Sequence, residues 1–395
     1  MEEEWQPDAI VELKISQIKK DLFEYIEKNS ERIDSNIPVF YGHVLSILEN
    51  SFPQISDSLH DQFIDDVSVK VLETSKKSKD VEYIEKLFAH AIRTRRSKAG
   101  KVIFDIILGI KLMDLGRYTQ AIEALKKFRT VDAIICTAIA YCYYSLATEE
   151  GASKTQSGGR PSDMELRARE QMIELVRLKP PVGRLRFPQV VQDLKLNKIF
   201  WYMLKLAIEW FPQEPEFIRI GLEKAKKDGN REIRGELLKI ASEKYFDDMF
   251  FLRELYHFRI EGREASGAAA VVRQMMQQHP KELEPIYYGL QLSIISMQTN
   301  AYSSFRKIAV EKGIPVNILL LQDFAFVLIS GKKTEAFAIL EDIKKRLVSK
   351  NHYLMLIDYL AQDTFSEDEK RVKTAKKVLL DSIDQYCLLQ LRMKD

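Results

Sequence analysis

Apolar positions recur at steps of three and four along most of the chain, the period of a helix buried on one face. The clearest stretch runs from Ile107 to Phe128. Leu108 and Leu112 share a face of one helix, and Ala121, Leu125 and Phe128 share a face of a second. Gly116 supplies the turn, Tyr118 covers the junction, and Ala121 is small enough for the two helices to cross closely. The next pair is predicted as Ile134 to Ala147, followed by a helix carrying Ala168, Met172 and Leu175 and ending at Pro180. Tyr353 to Leu360 and Lys373 to Gln385 form a last pair. Residues 1–98 also read as helices, with Ile84, Phe88 and Ala91 on one face.

Two markers set a period. Pro180, Pro212, Pro280 and Pro315 are separated by 32, 68 and 35 residues, and Gly229, Gly262 and Gly331 by 33 and 69. A proline at these places stops one helix, and a glycine permits the turn inside a pair. Both rulers give a unit near 34 residues, with units at 101–134, 135–180, 181–214, 215–248, 249–282, 283–315 and 316–349. The pattern is degenerate: Arg234 and Phe305 stand where a small residue is expected.

Leu108-Gly109, Gly116, Tyr118, Ala121 and the apolar pair beyond resemble the tetratricopeptide-repeat (TPR) family, and the resemblance extends over roughly residues 101–390. It implies an all-α fold: a right-handed helical-repeat solenoid of antiparallel helix pairs, preceded by an N-terminal helical region. The implied organisation is a helical region at 1–98 with one degenerate repeat near 65–98, a solenoid at 99–349 with an inserted loop at 148–163, and capping helices at 350–395.

In this family the first helix of each unit lines a concave groove that binds partner proteins. The resemblance therefore places Ile103, Ile106, Ile110 and Met113 on that face, then Tyr141 and Tyr144, then Arg219, Glu223 and Lys226, Arg253 and His257, and finally Ile318, Leu321, Ala325 and Leu328. Ile106 and Ile110 replace the polar clamp of the family's chaperone-binding members, so chaperone tails are not the expected ligand. The apolar ends imply one of two things. Either superhelical packing buries them, or the groove closes on the chain's own amino-terminal helices, a second copy or a partner helix. The cations between them suit an acidic or phosphorylated segment, or else pair internally with Glu223 and Glu254.

Composition narrows the class. Sixteen Gly and twelve Pro in 395 residues are too few for a sandwich or barrel, which turns every ~8–12 residues. With 46% hydrophobic and 30% charged residues the chain is neither disordered nor membrane-embedded. The balance of 60 basic against 58 acidic residues leaves +2, so no global field demands nucleic acid. Basic clusters near 93–101 (Arg93, Arg95, Arg96 and Lys98), 344–350 and 370–377 carry the alternative reading, a phosphate-binding stripe for nucleic acid. Solvated helix ends account for them as well.

Three cysteines, Cys136, Cys142 and Cys387, are too few for a disulfide framework and read as buried thiols. The acidic amino terminus lacks a signal-peptide pattern, and the run Val316 to Gly331 is short for a membrane helix and broken by Gln322 and Asp323. The expected setting is cytoplasmic and reducing.

Catalytic patterns are missing from the sequence. The six histidines lie apart, and no nucleophile elbow or dinucleotide fingerprint occurs. Gly151-Ala152-Ser153-Lys154-Thr155 lacks the second glycine and preceding strand of a phosphate loop. Pro180 to Pro188 reads as a linker, with presentation of a polyproline segment as the other use. The chain is therefore read as a non-enzymatic scaffold or adaptor within a multiprotein assembly. It is expected to bind proteins or peptide segments, or a second copy of itself, without cofactor, metal or membrane insertion. Nucleic acid is the less favoured partner.

Overall fold

The computed structural model describes residues 7–97, 101–153, 161–184, 196–347 and 351–392. Among these are nineteen α-helices and no strand. Adjacent helices pack in pairs along the sequence, the organisation of an all-α helical-repeat solenoid. The chain divides into two compact units, Met1–Arg234 and Gly235–Asp395.

The first unit begins with α1 (Pro7–Ser35), α2 (Ile37–Ser51), α3 (Asp57–Thr74) and α4 (Val81–Thr94). Here α1 packs on α3 and α2 on α4, and Ile84, Phe88 and Ala91 are buried as their spacing predicts. The pair α5 (Lys101–Asp114) and α6 (Tyr118–Leu125) follows, then α7 (Ala133–Ser153) and α8 (Asp163–Leu178), α9 (Leu196–Trp210) and α10 (Glu216–Lys227). Gly109 makes the α5–α6 crossing close, because a Cβ there would lie 2.6 Å from the Leu125 side chain. The helix α11 (Arg231–Lys244) spans the boundary between the units. The second unit continues with α12 (Met249–Glu261), α13 (Ala265–Gln278), α14 (Glu284–Ile295), α15 (Thr299–Glu311), α16 (Val316–Ile329), α17 (Lys333–Arg346), α18 (Asn351–Asp363) and α19 (Glu369–Arg392).

The repeat is written in the backbone more regularly than in the sequence. Left-handed residues close the first helix of a pair at Gly229, Arg263, Met297 and Gly331, a constant step of 34. The second helices begin at Arg231, Ala265, Thr299 and Lys333, with the same step. At each turn the following N–H reaches back five residues: Asn230 to Ala225 O at 2.8 Å, Glu264 to Arg259 O at 2.9 Å, Gln298 to Ser293 O at 2.9 Å and Lys332 to Val327 O at 3.2 Å. Gly116 heads the same bond from Arg117 to Leu112 O at 2.9 Å. Such a bond satisfies a carbonyl that the helix end leaves open.

This corrects the glycine ruler. Gly262 is right-handed at φ −79, and Arg263 carries the turn at φ 58. The small-residue position five after each turn is then Ala121, Ala268 and Ala336, with Arg234 and Tyr302 as the departures. Tyr302 stacks on Phe326 at 4.2 Å. Bulky Phe305 is accommodated from the other side, since its ring fills the space that a side chain at Gly289 would need.

The insertion at 148–163 is shorter than its composition implies. Helix α7 runs on to Ser153, and Ser162 caps α8 by accepting from Glu165 N–H at 3.2 Å. Residues 154–160, which include Lys154 and Thr155, lie outside the described residues. Residues Pro180 to Arg184 form a fixed seam. The buried Asp132 carboxylate accepts from Gly183 N–H at 3.2 Å, and Ala133 N–H reaches Pro181 O at 3.2 Å. Residues 185–195 are outside the described residues.

Candidate functional site

The apolar line expected along the groove is core except for Ile103, which is half-buried. Ile106, Ile110, Met113, Ile318, Leu321, Ala325 and Leu328 are all buried, so the tight-packing alternative describes them. What remains open lies beside them in the first unit. Tyr141, Tyr144, Ser145 and Thr148 fall on one face of α7 at helical spacing, and Lys198, Ile199 and Tyr202 on one face of α9. With Met113 and Asp114 of α5 and Tyr118 of α6 they line a cleft of about 500 Å³.

Its walls are interlocked phenol rings. Tyr118 meets Tyr141 edge-on at 6.3 Å, Tyr141 meets Tyr202 at 6.5 Å and Tyr202 meets Tyr144 at 6.0 Å. Tyr144 in turn contacts Trp210 at 5.9 Å, and the Arg169 guanidinium lies 5.1 Å from the Trp210 ring. Arg169 is held by Glu165 at 2.6 Å. Edge-to-face pairs of this kind add about 0.5–1.5 kcal/mol each beyond burial and fix ring orientation. Burial raises the Tyr118 phenol above its ordinary value although Ser145 bonds to it. The Tyr202 phenol is raised by burial and by its hydrogen bond with Tyr144. Both phenols are therefore neutral donors at physiological pH. Tyr202 is 45% exposed, and Asp114 and Lys198 stand exposed at the rim.

Such a cleft offers aromatic faces for aliphatic or proline rings and hydroxyls for peptide carbonyls. Among the described residues that line it there is no histidine, cysteine or paired carboxylate. No group of three or more His, Cys, Asp or Glu among the described residues is placed to hold a metal. The three thiols are buried, and burial pushes those of Cys136 and Cys142 up to about 12, so neither is a nucleophile at neutral pH. No helix of the described residues is long and apolar enough to cross a membrane.

The remaining expected groove residues separate. Arg219 pairs with Glu216 at 3.2 Å, Glu223 with Lys227 at 3.3 Å, and Lys226 is exposed, all in the first unit. Arg253 and His257 belong to the second. Arg253 bonds to the buried Glu284, and the His257 ring packs against Tyr256 at 5.5 Å and Tyr288 at 5.7 Å. Arg253 is thus bound by an internal acid, Glu284.

The basic clusters are neutralised only in part, and Lys345, Lys370, Lys373 and Lys377 are exposed. Arg95 is not a surface cation: its side chain is 8% exposed and clamps Asp65 and Asp61 of α3. Arg96 donates to Ile55 O at 3.0 Å and pairs with Asp57 at 3.5 Å, whereas Arg93 is exposed. Lys98 and Lys350 lie outside the described residues. Lys344 bonds to Glu341 at 2.8 Å and Asp358 at 3.0 Å, and Arg371 to Asp363 at 2.7 Å.

A polar network without a local sequence signature lies between the last helix and the interior pairs of the second unit. The last helix, α19, packs on α14 and α16, which are the first helices of their pairs. Its Asp384 carboxylate accepts from Tyr287 Oη and Gln291 Nε2, and Gln291 Oε1 accepts from Tyr256 Oη at 2.7 Å. Gln322 Nε2 donates to Tyr287 Oη at 3.1 Å, and Arg392 reaches Glu284 at 3.1 Å. Burial pushes Asp384 up to about 7, against the hydrogen bonds it receives.

No protein-family model matches the chain, and no curated protein matches it.

Proposed function

We propose that the protein is a non-enzymatic TPR-like scaffold that holds a segment of a partner protein in the tyrosine cleft of its first unit. The observation that carries this reading is the ring of Tyr118, Tyr141, Tyr144 and Tyr202 around an open cleft of about 500 Å³. Tyrosines give large contact area at small entropic cost, and their hydroxyls choose among backbone partners. The setting is intracellular, and the chain acts as one member of a larger assembly.

Affinity capture of the tagged full-length protein from its native lysate, at low and moderate salt and with nuclease, tests the scaffold reading. A stoichiometric set of proteins that survives salt and nuclease supports it, because phosphate-dominated binding falls steeply with salt. Loss of every companion on nuclease treatment overturns it in favour of nucleic acid. That second reading is weakened by the internal pairing of Arg95, Arg96, Lys344 and Arg371.

A further inference from the structure

The contact between α19 and the inner face of the second unit has features of a ligand in a binding groove. The helix returns to residues 97, 93 and 108 positions earlier in the chain, at Tyr287, Gln291 and Glu284. An ordinary closing helix needs only the neighbouring pair, and α19 has that contact too, with Tyr386 stacked on Tyr353 of α18 at 4.7 Å. The further reach is made with directed polar groups. Tyr287 and Gln291 form a two-donor fork around one carboxylate, and Glu284 takes the Arg392 cation, eight residues beyond Asp384 on the same helix. Between them Ile383, Cys387 and Leu391 supply a buried apolar seam. Tyr256, Tyr287, Tyr288, Gln291 and Gln322 are all buried, which makes this an unusually polar interior for a helix-repeat core. The fit is also incomplete, because Gln322 Oε1 is buried with no partner. Outward, Lys370, Arg371, Lys373 and Lys377 keep the helix solvated.

We propose that the inner face of α14 and α16 is a helix-docking groove, that α19 is its resident occupant, and that it exchanges for a helix of a partner protein with the same face. That face is an acidic residue at position i, aliphatic residues at i−1 and i+7, a small residue at i+3 and an arginine at i+8. The fork of Tyr287 and Gln291 reads the acid, and Glu284 reads the arginine. This groove does not depend on the tyrosine cleft, which belongs to the other compact unit. While α19 is docked the groove is closed, so partner affinity is reduced by the fraction of molecules in which it is open.

The probe is a fluorescein-labelled synthetic peptide of residues 369–392, titrated by anisotropy against the full chain and against full-length Asp384→Lys and Arg392→Glu variants. Circular dichroism and cooperative melting of each variant are measured alongside. The expected result is saturable binding to both folded variants, at least about ten-fold tighter than to the wild-type chain. A peptide carrying Asp384→Lys does not bind either of them. The proposal is overturned if the variants stay helical and melt cooperatively yet take no peptide, or if both lose cooperative melting, which would make α19 part of the core. It is also overturned if the variants bind no peptide and light scattering gives a dimer, since a second copy's α19 would then be the occupant.

Discussion

Asp384, on the last helix, accepts a hydrogen bond from the hydroxyl of Tyr287, 97 residues earlier in the chain. The bond ties the end of the chain to the first helix of an interior pair. Removing the hydroxyl leaves the carboxylate with Gln291 alone. Tyr287→Phe is expected to lower the unfolding free energy of the full chain by about 1–3 kcal/mol in urea, the range for leaving buried polar partners unsatisfied.

The same carboxylate gives a pH dependence with a definite sign. Burial holds Asp384 near 7 in the folded chain, above its ordinary unfolded value of about 4, so the folded state binds its proton more tightly. Its contribution is therefore most favourable below about pH 4, is lost as pH rises through about 7, and is flat above that. Wild type minus Asp384→Asn, measured by urea unfolding from pH 4 to 8, is expected to show a decline of the order of 4 kcal/mol, about 1.4 kcal/mol for each unit between the two values. A flat difference would show that Asp384 titrates normally.

Gly289 and Phe305 are a matched pair, because a side chain on the first would overlap the ring of the second. Gly289→Ala is expected to cost about 1–3 kcal/mol through overpacking, despite alanine's better helix propensity. Adding Phe305→Leu is expected to restore part of the loss, and a double-mutant cycle in thermal melts measures the coupling.

Left-handed turns at Arg263 and Met297 carry a conformational cost that glycine would not. Both side chains are exposed, so little packing is lost on removing them. Met297→Gly and Arg263→Gly are each expected to stabilise the chain by about 0.5–1 kcal/mol, whereas Gly331→Ala at the equivalent turn destabilises it by about 1 kcal/mol. Melting temperatures of the three variants check the opposite signs.

Arg95 serves stability. Burial alone would raise Asp61, but N–H groups of Arg96 and Ser97, His60 and the Arg95 charge outweigh it and hold its carboxyl below the usual range. Arg95→Ala leaves Asp61 and Asp65 without their cation and is expected to cost about 3 kcal/mol. Nucleic-acid affinity, measured by filter binding at two salt concentrations, is expected to be unchanged in that variant.

Most of the helix pairs were legible because each depends on residues within about 34 positions: Ala121, Leu125 and Phe128 announce α6 and its turn, and all three are buried. The turn ruler slipped by one at Gly262 because glycine is the usual left-handed residue, and here arginine and methionine take that position. Tyr141 and Tyr144 were legible as one face of a helix. Tyr202 and Trp210 were not, because the unit at 181–214 departs from the repeat and hides the phase of α9. The Asp384 contact had no local signature at all. A lone aspartate on an amphipathic helix reads as solvated until tertiary packing covers it.

Site-specific photo-crosslinking shows whether a partner segment lies in the tyrosine cleft. A benzoylphenylalanine placed at Tyr202 in the tagged full-length chain is irradiated in native lysate, and the adducts are mapped by mass spectrometry, with the exposed Lys239 of α11 as a control position. Adducts from Tyr202 to one recurrent segment of another protein are expected, lost when Tyr141 and Tyr144 are changed to alanine and absent from the control. Adducts confined to nucleic acid, or a pattern from Tyr202 no different from the control, would contradict it.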